Sequence, residues 1–186
     1  MVVVGIDEVG RGSWAGPLVA GAVILKSPIV GLKDSKKLSK IQKQKLAEII
    51  NLKALAVGLG WVTPRQVDLI GLTQAVRLAM ELAIGQITTK YNEIVVDGHY
   101  NFLAHHPNSR AVIGADDLIS SVSAASIIAK VARDQYMVEA SVKYPEYGFE
   151  KHVGYGTKLH SDMLEKHGVC AIHRRSYAPI KQALLK

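Results

Sequence analysis

The chain opens on an apolar run, residues 2–6, rich in β-branched valine and isoleucine, which predicts a buried strand. Gly10, Gly12, Gly16 and Pro17 interrupt the pattern before residues 18–25 resume it. Two strands around a glycine-rich turn are therefore expected, antiparallel to each other within an otherwise mixed sheet. Ser39, with Gln42 three residues on, forms a capping box that opens a helix to about residue 50. Residues 54–62 are apolar with glycine interruptions and read as a third strand. Thr63, Pro64 and Gln66 then supply a cap, a first-turn proline and a box partner for a helix over 64–89, with Gly71 as the point where it can kink. Short strands are predicted at 94–96 and 111–113, each followed closely by a carboxylate, Asp97 and Asp116. Residues 120–144 carry Ala, Ile and Val, with Lys130, Arg133 and Asp134 spaced as one exposed stripe; this predicts a long helix packed on the sheet and ended by Pro145. Residues 147–155 read as a loop, Thr157 caps a short helix to about residue 167, and the tail from residue 178 reads as helical. Strands alternating with helices define an α/β fold, a mixed central β-sheet flanked by helices with a C-terminal helical segment. No linker, repeat or low-complexity tract divides the pattern, so residues 1–186 are expected to form one domain.

Composition agrees with that reading. With 48% hydrophobic and 21% charged residues, the chain has the profile of a soluble globular domain, and 186 residues suffice for a core without a disulfide framework or metal clip. Cys170 is the only cysteine, which excludes an intrachain disulfide and a multi-cysteine metal site and fits a reducing cytoplasm. The N-terminus lacks the basic stretch of a secretory signal, and the longest uncharged run, residues 12–25, is too short and too rich in glycine to span a bilayer. Lys and Arg number 23 against 16 Asp and Glu, a formal net charge of +7 that points toward a polyanionic partner.

Four carboxylates stand at or just past predicted strand ends, where side chains from different strands converge: Asp7, Glu8, Asp97 and Asp116. Unpaired anions gathered in one pocket repel and protonate unless divalent cations neutralise them, and hard oxygen ligands suit Mg²⁺ or Mn²⁺. Taken one at a time, each acid reads equally as a cap, a turn former or a solvated charge, and spacing alone does not choose between Asp116 and Asp117. Asp7 and Glu8 are sequence neighbours, so a regular strand sends them to opposite faces; both serve one site only if the strand bends or ends there, as Val9-Gly10-Arg11-Gly12 permits. Gly10, Arg11 and Gly12 are suited to bring backbone amides near a phosphate or sugar hydroxyl, or simply form a turn. Lys33, Lys36 and Lys37 offer phosphate neutralisation or a solvated face. Tyr155, between two glycines, projects a ring that can stack on a sugar or base, or fills a minor core. His173-Arg174-Arg175-Ser176-Tyr177 concentrates donors that hold nucleic acid or pack the tail. None of the seven histidines has a metal-protease spacing, and no general base is assigned.

Together these segments resemble the ribonuclease HII family, the type 2 ribonucleases H, in its short bacterial-type form. The likeness is carried by Gly5-Ile6-Asp7-Glu8-Val9-Gly10-Arg11-Gly12, Leu32-Lys33-Asp34-Ser35-Lys36-Lys37-Leu38, Val96-Asp97-Gly98, Ala115-Asp116 with the run from Ser123 to Asp134, Gly154-Tyr155-Gly156-Thr157 and His173-Arg174-Arg175-Ser176-Tyr177. The resemblance implies a ribonuclease H-like fold and a monomeric cytoplasmic endonuclease of DNA replication and ribonucleotide excision repair. Its substrates would be the RNA strand of RNA–DNA hybrids and duplex DNA containing ribonucleotides, cut 5′ to the ribonucleotide by a two-metal mechanism with Mg²⁺ or Mn²⁺. It also implies that Asp7, Glu8, Asp97 and Asp116 are the metal-binding catalytic acids, Asp116 rather than Asp117 because it stands ten residues before Ser126. Gly10, Arg11, Gly12 and Tyr155 would read the 2′-hydroxyl, and Ser35 and Lys36 would hold phosphates. The chain departs from the family in having Gly114 and Val153 where lysine is usual. Two rival classes are a non-catalytic hybrid-binding module on the same scaffold and a metal-dependent junction resolvase; the first would cut nothing, the second branched all-DNA substrates.

Overall fold

The structure is a computed structural model that describes residues 1–32 and 38–185. Its sheet has five strands: β1 (Val3–Val9), β2 (Leu18–Leu25), β3 (Ala54–Val62), β4 (Glu93–Asp97) and β5 (Ser109–Val112). They lie in the order β3-β2-β1-β4-β5, with β1, β2 and β3 antiparallel neighbours and β1, β4 and β5 parallel. The helices are α1 (Lys40–Lys53), α2 (Pro64–Ile70), α3 (Leu72–Ile84), α4 (Ala115–Leu118), α5 (Ser120–Lys143), α6 (Phe149–His152), α7 (Lys158–His167) and α8 (Ala178–Leu184).

Alternation along β1 and β2 sorts the core into two layers. Val4, Ile6, Ala20, Ala22 and Ile24 pack with Val76, Ala79, Met80 and Ala83 of α3 on one face. On the other, Val23 packs with Leu46, Ala47 and Ile50 of α1 and with Ala124, Ala125, Ile127 and Ile128 of α5. The absence of side chains at Gly5 and Gly21 brings α5 against the sheet: a Cβ at Gly5 would stand 2.2 Å from the Ser121 carbonyl carbon, and one at Gly21 2.5 Å from the Ala125 oxygen. This close approach sets α5 over the centre of the sheet, beside the end of β1.

Three expectations are corrected. The segment 147–155, read as a loop, holds the single-turn α6. The helix expected over 64–89 is two helices, because Gly71 adopts φ +77°, outside the helical region, and the second ends at Ile84. Arg133 is fully buried rather than part of an exposed stripe; Lys130 and Asp134 do form a 2.8 Å ion pair on the more accessible side of α5. The capping boxes at Ser39–Gln42 and Thr63–Gln66 are both formed. No helix among the described residues is long and apolar enough to cross a membrane.

Candidate active site

The parallel register Ile6↔Val96 sets Asp7 beside Asp97 at the C-terminal ends of adjacent strands, on the α5 side of the sheet. The chain leaves β5 and turns through Gly114 into the single-turn α4, where the Asp116 N–H donates to Asp97 Oδ1 at 3.4 Å. Asp116 is buried, whereas its neighbour Asp117 is exposed. Thus Asp7, Asp97 and Asp116 are brought to one end of the sheet by β1, β4 and α4.

Glu8 reaches the same end differently. β1 stays regular through Val9, with Glu8 opposite Ala20, so the bend foreseen between the two acids does not occur; the chain breaks at Gly10, where φ is +94°. Glu8 therefore leaves the strand on the α3 side, where Arg11 Nη1 donates to its Oε1 at 3.1 Å. Both acids still sense Asp97. Burial first, then the Glu8 and Asp97 charges, push the Asp7 carboxyl up to about 7, against a lowering hydrogen bond from Ser126. Burial also raises Glu8, with Arg11 opposing it.

An acid held this far up is a carboxyl short of positive charge. The donor set is all oxygen, which fits hard divalent ions. Among the described residues only Glu81, His105 and His106 bring three ligand atoms within 4.8 Å of one another, so the four acids are spread more widely than a cage around one ion.

Beside the acids lies the turn from Gly10 to Pro17, held from beneath by two buried arginines. Arg133 of α5 donates through Nε to the Pro17 carbonyl (2.9 Å), through Nη1 to Val153 (2.9 Å) and through Nη2 to Ala15 (3.1 Å). Arg174 donates through Nε to Gly16 (3.0 Å) and through Nη1 to Gly10 (2.6 Å) and Arg11 (3.2 Å). A guanidinium carries five donors and no acceptor, so it can gather carbonyls from several chain segments at once. The Trp14 and Ala15 N–H groups donate to the Gly154 carbonyl, and Ser13 bridges to Tyr155, so the Gly-Arg-Gly turn and Tyr155 form one surface. The approach requires glycine at 154: a Cβ there would lie 2.3 Å from the Ala15 oxygen.

At the tip, Arg11 and Gly12 are exposed, and the half-buried Tyr155 ring lies 5.4 Å from the Arg133 guanidinium and 5.8 Å from the Lys130 ammonium. Three buried histidines, His152, His160 and His173, underlie this loop pair. His160 Nε2 lies 3.0 Å from His173 Nε2, and its Nδ1 lies 3.0 Å from the Tyr155 carbonyl oxygen. Burial pushes His160 and His173 down to about 4.

The structure therefore brings Asp7, Glu8, Asp97, Asp116, Gly10, Arg11, Gly12 and Tyr155 to one end of the molecule. Ser35 and Lys36, with Lys33 and Lys37, lie outside the described residues. His173 and Arg174 are buried and support the loops, while Arg175 is exposed. Sequence reasoning missed three supports: Ser126 against Asp7, and the carbonyl-gathering roles of Arg133 and Arg174. Their signals were weak: Arg133 shares helical spacing with Lys130 and Asp134, and Arg174 stands in the donor-rich run from His173 to Tyr177.

A mixed sheet of this order, with acids at its centre and helices on both faces, defines a ribonuclease H-like fold, the class of metal-dependent nucleases. A family model described as ribonuclease HII matches residues 4–180. A ribonuclease HII of Shewanella piezotolerans is 46% identical over 182 residues, covering 97% of this chain and 90% of the relative. One of Bacillus cereus is 45% identical over 186 residues, covering 99% and 72%. The crystal structure of ribonuclease H2 from Pyrococcus horikoshii superimposes with a TM-score of 0.85 at 27% identity, covering 98% of this chain and 97% of that one. The chain belongs to the ribonuclease HII family. It is accordingly a metal-dependent endoribonuclease that cleaves the RNA strand of RNA–DNA hybrids.

Proposed function

We propose that the described chain acts as one catalytic domain, in the cytoplasm, on RNA–DNA hybrids and on duplex DNA carrying single ribonucleotides, cutting 5′ to the ribonucleotide and leaving 3′-hydroxyl and 5′-phosphate ends. The observation that carries this reading is the meeting of Asp7, Asp97 and Asp116 at one sheet end, next to the turn that joins Gly10, Arg11 and Gly12 to Tyr155. The site residues fit a pair of Mg²⁺ or Mn²⁺ ions: the donors are carboxylates only, and burial with neighbouring anions holds Asp7 up at about 7, a state that positive charge relieves. Asp7, Glu8, Asp97 and Asp116 would hold the ions. Once bound, they supply activation of water and stabilisation of the leaving 3′-oxygen.

The chain's own groups do the positioning. Ser126 hydrogen-bonds to Asp7 and Arg11 to Glu8, fixing two of the four carboxylates. Gly12 is exposed with open space where a Cβ would lie, which leaves room for a sugar-phosphate strand over the turn. Tyr155, braced by Arg133, lies beside that turn, where its ring packs on the sugar whose 2′-hydroxyl separates RNA from DNA. Lys33, Ser35, Lys36 and Lys37 add phosphate contacts.

The test is a panel of three labelled duplexes, one with a single ribonucleotide, one RNA–DNA hybrid and one all-DNA control, incubated with and without Mg²⁺ or Mn²⁺. Cleavage of the first two only, metal-dependent and 5′ to the ribonucleotide in the first, is the expected result. Intact single-ribonucleotide duplex beside a cut hybrid would remove the junction-reading role.

A further inference from the structure

On the opposite, α3 side of the sheet, away from Asp7 and Asp97, a second group of metal-ligating side chains comes together. Glu81 stands near the C-terminal end of α3, and His105 and His106 lie in the connection from β4 to β5. His105 Nε2 lies 2.6 Å from Glu81 Oε1, and His106 Nε2 lies 2.9 Å from Oε2. One ligand atom from each residue falls within 4.8 Å of the others. We propose that Glu81, His105 and His106 form a binding site for one divalent transition-metal ion, of the zinc type, distinct from the site of the four carboxylates.

The geometry goes beyond an ordinary ion pair. Glu81 Oε1 is buried and, although 2.6 Å from an imidazole nitrogen, makes no hydrogen bond of acceptable alignment. Arg77, the other cation nearby, stays 3.9 Å away, beyond hydrogen-bond range. His106 Nε2 and Glu81 Oε2 are within hydrogen-bond distance at 2.9 Å, which leaves Glu81 Oε1 facing the His105 imidazole without a well-aligned bond, while a ligand atom of each of the three residues lies within reach of a common point. Ligands at about 2.0–2.2 Å from a tetrahedral ion are separated by about 3.3–3.6 Å, so the observed 2.6 and 2.9 Å contacts open by about 0.4–1.0 Å on binding, within the reach of side-chain rotation.

The site is also braced. Asn101 donates to Ser109 Oγ and accepts from the Leu103 N–H, Ser109 Oγ donates to the Leu103 carbonyl, and Leu103 is buried in the α3-side core. Both histidines therefore sit on a connection with little freedom to lose. Three protein ligands leave a fourth position, and a cleft of about 260 Å³ lined by Arg77, Asn101 and His105 adjoins the site, with room for water or a small anion there.

Ligand chemistry separates the two sites. Imidazole nitrogen with one carboxylate favours Zn²⁺, Ni²⁺ or Cu²⁺, whereas an all-carboxylate set suits Mg²⁺ and Mn²⁺. An ion at Glu81 would clasp the connection that follows Asp97 to α3.

The experiment uses the full chain carrying Asp7→Asn and Asp97→Asn, so that the carboxylate site is disabled, stripped of metal with a chelator and titrated calorimetrically with ZnCl₂ in the presence of excess Mg²⁺. One Zn²⁺ per chain is expected. Adding His105→Ala with His106→Ala should abolish it, and Glu81→Gln, which preserves side-chain shape, should weaken it about tenfold or more. Thermal melting of each variant, with and without Zn²⁺, supplies the second readout: zinc should raise the melting temperature most where all three ligands are intact, less in Glu81→Gln and not at all in the double-histidine variant. Absence of zinc binding in the Asp7/Asp97 variant, or an isotherm unchanged by the histidine or Glu81 substitutions, overturns the proposal.

Discussion

At the ends of β1 and β4, carboxylates are pressed against one another and against apolar surroundings; a few ångströms along the chain, the turn from Gly10 to Pro17 rests on two guanidiniums whose donors are largely matched to carbonyls. Both regions bury charge, yet in opposite conditions. The arginines have counterpart carbonyl dipoles built into the chain against every donor nitrogen except Arg174 Nη2, so burial lowers their proton affinity while most of the charge stays matched. The acids have too few, and Asp7 rises to about 7. A buried charge surrounded by its own partners makes a rigid support, whereas a buried charge lacking them is a binding site for something of opposite sign.

Asp7→Asn separates the two conditions most sharply. Cleavage should fall at least about a thousandfold, some 4 kcal/mol of transition-state stabilisation. The metal-free protein should become more stable by on the order of 2 kcal/mol at pH 8. The sign follows from the raised pKa: the neutral carboxyl suits the fold, so its contribution is present at acid pH and is lost as pH rises through about 7. Urea unfolding and single-turnover cleavage measure the two effects, and loss of both stability and activity would show that Asp7 supports the fold.

Arg133→Met should do the reverse. The carbonyls of Ala15, Pro17 and Val153 lose their donor, with an expected cost of about 3–5 kcal/mol in urea unfolding. A cost below about 1 kcal/mol would mean that the turn holds itself.

The buried histidines sharpen the contrast through pH. His160 and His173 are held near 4, below their ordinary value of 6.5, so the unfolded chain takes up their protons first. Their contribution is complete above pH 6.5 and disappears as pH falls toward 4, the opposite slope to Asp7, and amounts to on the order of 2–3 kcal/mol. Comparing urea midpoints at pH 7.5 and 5 in the wild type and in His160→Gln measures it; an equal fall in both proteins would assign the acid sensitivity elsewhere.

The smallest effect concerns Tyr155→Ala. Removing a ring that packs on a sugar or base should cost about 1–2 kcal/mol, roughly tenfold, in the preference for a ribonucleotide-containing duplex over all-DNA. Unchanged ratios of dissociation constants would make the ring purely a support beneath Arg133.

Much of this was legible along the chain, because local rules governed it. The Ser39–Gln42 and Thr63–Gln66 boxes start α1 and α2 where their residues stand, and Pro145 follows the end of α5. The acids at strand ends were legible too, since a short apolar run followed by a carboxylate recurs at Asp7 and Asp97. Arg133 was misplaced on an exposed face because helical spacing counts it with Lys130 and Asp134 and gives no sign that three carbonyls wait on its other side. Glu81, His105 and His106 were passed over for the same reason: the first imidazole stands 24 positions and a strand beyond the carboxylate.

By itself, then, the amino-acid order determined the strands, the starts of the capped helices, the α/β class and the residue types able to hold metal, all of which depend on interactions within a few positions. The tertiary structure decided which of Asp116 and Asp117 is buried, on which side of the sheet Glu8 emerges, and which arginines carry the turn. Those outcomes depend on strand register and on the close seat of α5 over Gly5 and Gly21, contacts between distant segments that exist only after the layers have packed.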